Sequence, residues 1–173
     1  MNRGMKAALL LLALVLLPVL ALADAPVMLV NLPESAQMVE NVEFENGDFI
    51  QTYQLENGIT VQLLRYEGFE MVIDELIASD WPVNCGVSLL EMDAISGVPA
   101  KRAHILQAFD EGGYPVKEAS ATGSVMAIDL IVAHANDTTL IFQCMGPAGA
   151  AAETAARLME SLSIQGGEEA EVG

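Results

Sequence analysis

The 173 residues include 24 Asp or Glu and only 7 Lys or Arg. That balance excludes phosphate-driven nucleic-acid binding, which needs basic side chains to displace counterions, and it disfavours docking on anionic lipid. No cofactor is indicated, because no phosphate-cradling glycine loop and no cofactor motif occurs.

Arg3 and Lys6 precede an apolar run, Ala7 to Leu17, and then Pro18-Val19-Leu20-Ala21-Leu22-Ala23. A basic start, an apolar stretch and a small-x-small site predict a signal peptide over 1–23, cleaved after Ala23. Cleavage leaves five basic residues against the same 24 acids, a net charge of −19. The expected location is secreted or periplasmic, without stable membrane insertion of the mature chain. About 150 residues then suit one domain, expected over 24–164, with an acidic disordered tail at 165–173.

Residues 24–47 form an extended lead-in segment with a short strand candidate at Met38 to Phe44. Phe49 to Leu55 and Ile59 to Tyr66 are β-rich and flank Glu56-Asn57-Gly58. Asn-Gly tolerates the positive φ of a tight primed turn, so a hairpin is expected. Phe69, Val72, Ile73, Leu76 and Ile77 repeat at i, i+3, i+4, i+7 and i+8 and predict a helix, which Asp80-Trp81-Pro82 ends. Strands follow at Val87 to Met92 and Ala100 to Gln107, then a Gly- and Pro-rich loop from Asp110 to Gly123. Ser124 to Ala133 and Thr138 to Met145 are nearly continuous apolar runs and are expected at the centre of a sheet. Gly146-Pro147 is expected to open a last helix, with Pro at its first position and Ala156, Met159 and Leu162 on its inner side.

The fold class that follows is α+β, an antiparallel sheet with an internal helix and a C-terminal helix packed on it. This order of elements, with the ending Leu158-Met-Glu-Ser-Leu-Ser-Ile164, resembles the PsbP-like superfamily, which includes secreted bacterial proteins of the DcrB type. The resemblance spans Gly47 to Ile164 and implies an accessory module without known catalysis. It supplies no catalytic residue.

Cys85 and Cys144, in a chain addressed to an oxidising compartment, suggest a disulfide, with two buried thiols as the alternative. His104 and His134 lie on expected strands and could form an acid-base or metal site with a carboxylate such as Asp129. Alternation puts Asp129 and His134 on opposite faces, which argues against all three meeting. Glu43, Glu45 and Asp48 gather oxygen ligands around a turn, the kind of site calcium accepts. Trp81 and Tyr114, each followed by Pro, are candidate contact residues for a partner. The primary expectation is a non-enzymatic accessory or binding module that favours a basic protein or peptide. The alternatives are a small secreted hydrolase or metal-dependent enzyme using His104, His134 and a carboxylate, and a calcium-dependent envelope or adhesion module.

Overall fold

The structure is a computed structural model and describes residues 25–166. The expected signal peptide and nearly all of the expected tail lie outside those residues. Ten strands and two α-helices follow one another: β1 (Val27–Leu29), β2 (Gln37–Glu43), β3 (Phe49–Gln54), β4 (Thr60–Glu67), α1 (Ile73–Asp80), β5 (Gly86–Leu90), β6 (Ala100–Phe109), β7 (Pro115–Val116), β8 (Ser124–Ala135), β9 (Thr138–Pro147), α2 (Ala150–Met159) and β10 (Ser163–Gln165).

Eight strands make one sheet in the order β2-β3-β4-β9-β8-β6-β5, with β7 added beside β6. Every pairing is antiparallel. The fold is thus broadly α+β, with strand content well above helix. The long central strands β8 and β9 meet through the two-residue connection Asn136-Asp137, where Asn136 takes φ +54°. Asn is among the few residues that enter this region at low cost. In the loop ahead of β8, Gly123 is required for space, since a Cβ there would lie 2.1 Å from the carbonyl oxygen of Phe109.

Side chains alternate across the sheet, so each central strand serves two cores. On one face Val61, Leu63, Ile131, Ala133, Leu140, Phe142 and Cys144 pack with Ala155 and Leu158 of α2 and with Met28 and Ile164 of a small β1-β10 ribbon. On the other, Ala103, Ile105, Ile128, Leu130, Val132 and Ile141 pack with Ile73, Ile77 and Trp81. Burial on both faces explains why β8 and β9 read as continuous apolar runs.

Several expectations change. The hairpin forms, but its connection is a 3-10 turn over Glu56–Gly58, closed by the Leu55 N–H donating to the Ile59 carbonyl at 2.7 Å. The first helix starts at Ile73, four residues after Phe69, and Phe69 stays exposed. Pro147 ends β9 opposite Met126, and the last helix begins at Ala150 after Gly149, which takes φ +91°. Its inner face is Ala151, Thr154, Ala155 and Leu158, with Met159 and, just past the helix, Leu162 packed against the same core, while Ala156 points to solvent. Five alanines in ten residues leave little size contrast, so periodicity could not orient this helix. Gln165 belongs to β10 and not to the tail.

The expected disulfide is absent: Cys85 and Cys144 are both free. Cys85 sits beside β6 with its N–H on the Leu106 carbonyl, whereas Cys144 is on β9. β8 and β6 intervene, so the two stand about 14 Å apart at ~4.8 Å per strand step, beyond the ~7 Å that a disulfide can bridge. Burial pushes the Cys144 thiol up to about 12, with the Asp129 carboxylate opposite it adding to the rise. The unfolded thiol ionises near 9, so this contribution to stability is intact below pH 9. It declines by roughly 1.4 kcal/mol per pH unit as pH climbs from there towards the folded value. Thiol titration at pH 8 should find Cys85 reactive and Cys144 protected in the native protein, and two thiols after unfolding. A count of zero after unfolding without reductant would contradict the unpaired assignment.

Candidate functional site

The residues singled out from sequence fall in five separate places. Asp129 is fully buried and receives Arg102 through Nε at 3.2 Å and Nη2 at 2.6 Å, both on one oxygen. Its other oxygen lies 3.2 Å from His104 Nδ1. Arg102 and His104 are two apart on β6 and share a face, and His104 stands directly opposite Asp129 in the ladder. His134 projects from the other face and lies 3.2 Å from the Thr139 hydroxyl. The structure therefore brings His104 and Asp129 together and leaves His134 out. Arg102, missed in the sequence, neutralises the carboxylate from one side. The cluster is a partly buried ion pair across β6 and β8, with the Arg102 and His104 side chains 24% and 26% exposed.

The acidic turn is likewise engaged. Asp48 Oδ1 accepts from Arg65 Nη1 at 3.3 Å and from the Glu67 N–H at 2.7 Å, and its Oδ2 accepts from Asn46 Nδ2 at 2.8 Å. Arg65 is itself buried, donating to the Pro26 carbonyl at 3.1 Å and to Glu67 at 3.0 Å. Glu43 takes the Asn41 amide at 3.0 Å, and Glu45 is exposed. Among the described residues no three His, Cys, Asp or Glu side chains form a group that could hold a metal ion. Trp81 is 6% exposed and belongs to the α1 core, whereas Tyr114 is 71% exposed on the β6-β7 loop. Asp110 holds that loop, accepting from the N–H groups of Gly112 and Tyr114 at 2.9 Å each.

One concave feature with both apolar walls and polar groups lies beside α1. A cavity of about 370 Å³ is bounded by Leu64 and Tyr66 of β4, Ile141 and Gln143 of β9, Phe69 and Met71 of the connecting segment, and Leu76 of α1. Leu64 faces Ile141, and Tyr66 faces Thr139, so β4 and β9 form its floor. The segment carrying Phe69 and Met71 is pinned by Thr139, whose hydroxyl donates to the Phe69 carbonyl and accepts the Met71 N–H at 3.2 Å. His134 Nδ1 lies 3.2 Å from the same hydroxyl oxygen. His134 thus supports the wall of the groove, a role that its strand position alone could not reveal.

Glu75, Ser79 and Asp80 form the polar edge, and no basic side chain lines the groove among the described residues. Burial raises the pKa of Tyr66 above its usual value, and the Asp48 and Asp80 carboxylates add to that rise. The phenol is a hydrogen-bond donor at neutral pH. Phe69 stands more than half exposed at the mouth. Sequence reasoning missed this groove because it placed Phe69 inside the helix.

No family model matches the chain, and no curated protein matches it. The resemblance to the PsbP-like superfamily therefore rests on element order alone. Among solved structures, the chain is similar to LpqN, involved in cell envelope biogenesis of Mycobacterium tuberculosis, at TM-score 0.47 and 10% identity over 82% of this chain and 84% of that one. No helix of the described residues is long and apolar enough to cross a membrane.

Proposed function

We propose that this chain is a non-catalytic binding module working outside the cytoplasm, and that its α1 groove takes a basic protein or peptide segment presenting one or two large apolar side chains. The observation that carries the reading is the groove itself: an apolar floor and walls, an exposed aromatic at the mouth, and an edge whose only charges are negative. Its volume lies at the low end of the ~300–1,000 Å³ usual for ligand sites, enough for side chains and too small for a folded element. The net charge supports the sign of the partner, since a strongly acidic surface speeds encounter with basic ones. The extracytoplasmic setting is supported by the pattern of residues 1–23.

Leu76 is half-buried on α1 and reaches the groove without belonging to the buried core, so Leu76→Glu should fold. In calorimetric titration with a decapeptide alternating Lys and Leu, the variant should bind at least about tenfold more weakly than the parent, the range for losing one buried apolar anchor. Equal affinity in a variant that melts like the parent would overturn the assignment of the groove.

A further inference from the structure

A second cavity of about 370 Å³ lies elsewhere, walled by Leu32, Leu55, Ile59 and Leu158 and edged by Thr154 and Arg157. It sits between the connector that follows β1, the 3-10 turn and α2. Leu158, Leu55 and Ile59 belong to the α2-side core, on the face of the sheet opposite Trp81. Of the five basic side chains among the described residues, Arg65 and Arg102 are consumed in ion pairs. Lys101, Lys117 and Arg157 have no carboxylate within 4.0 Å among the described residues, and the recorded partner of Arg157 is the neutral Thr154 hydroxyl at 3.4 Å.

Among these, Arg157, with no carboxylate partner among the described residues, is the one at the edge of the recess walled by Leu32, Leu55, Ile59 and Leu158. We infer that this recess binds a single-chain amphiphile with a carboxylate head, the head on Arg157 and the aliphatic tail against Leu32, Leu55, Ile59 and Leu158. The planar fork of Arg suits a carboxylate, since two parallel N–H bonds to its oxygens are charge-assisted. Thr154 can add a hydroxyl donor, because Arg157 uses its oxygen as an acceptor. Glu56 also lines the recess, and it makes no ion pair with Arg157. Its charge repels an anion and so confines the head to the Arg157 side. The inference does not depend on the α1 groove.

The test uses protein expressed from its full sequence and decanoate below its micelle concentration, with decanol and decylamine as chain-matched controls. Calorimetry should show saturable decanoate binding, at least about tenfold tighter than either control. Arg157→Gln, an exposed position, should lose about tenfold for decanoate and leave decanol unchanged, while Glu56→Gln should strengthen decanoate binding. Trp81 emission should stay constant throughout, because the ring belongs to the other core. Absence of decanoate binding, undiminished binding in Arg157→Gln, preference for decylamine, or a shift in Trp81 emission would each overturn the inference. The last would send the ligand to the α1 groove instead.

Discussion

Replacing Asp129 with alanine should destabilise the protein by about 3–5 kcal/mol in denaturant unfolding, among the largest effects of any single change in this chain. The carboxylate is fully buried and holds Arg102 and His104 on the neighbouring strand. Removing it leaves a largely covered guanidinium, 24% exposed, without its carboxylate and takes the acceptor from His104. The ion pair itself need not stabilise much relative to an apolar replacement, since desolvating both charges offsets most of their attraction. Asp129→Leu combined with Arg102→Met should therefore recover a large part of the loss. A single-variant effect under 1 kcal/mol, or no recovery in the double variant, would show that the pair is not what holds β6 to β8 in register.

Arg65→Met is expected to cost about 3 kcal/mol by the same reasoning, but with a local signature. One buried guanidinium ties together the chain before β1 through the Pro26 carbonyl, the β2-β3 turn through Asp48, and the end of β4 through Glu67. Without it, Asp48 keeps a side chain only 13% exposed and loses its cation. Hydrogen exchange should rise at Val27 to Leu29 and around Gly47 and Glu67, while β8 and β9 remain protected. Uniform acceleration across the sheet would contradict the picture of Arg65 as a clamp on one corner.

The parts legible in the sequence were those with a strong local cause. Asn57-Gly58 between β-rich runs announced the hairpin, and the two-sided apolar character of β8 and β9 announced the sheet centre. Strands β1 and β10 are three residues each and exist through their mutual pairing across the whole chain, so no window of sequence contains their cause. Phe69 fitted the helical repeat, yet the Thr139 hydroxyl captures the backbone from Phe69 to Met71 and holds it out of the helix. For the partly buried ion pair a signal existed: an aspartate inside Ile128-Asp-Leu-Ile-Val132 demands a partner, and Arg102 and His104, two apart on a strand, share a face. What could not be read was which strand lies beside which. The same lack of register concealed the separation of Cys85 from Cys144, whereas alternation along one strand was enough to place His134 and Asp129 on opposite faces.

The central claim, that the α1 groove recognises a basic segment through apolar anchors, is tested most directly by Trp81, the single tryptophan of the chain, which packs in one cluster with Leu64, Tyr66, Met71 and Leu76. Its emission should be followed while the protein expressed from its full sequence is titrated with the Lys-Leu decapeptide, and with a Lys-Ser decapeptide of equal charge. The account predicts a saturable emission change with Lys-Leu that persists at 0.15 M salt, where surface charges are screened beyond about 8 Å, and no saturable change with Lys-Ser. Identical responses to the two peptides, both vanishing in salt, would mean that the acidic surface attracts cations without a groove to receive them.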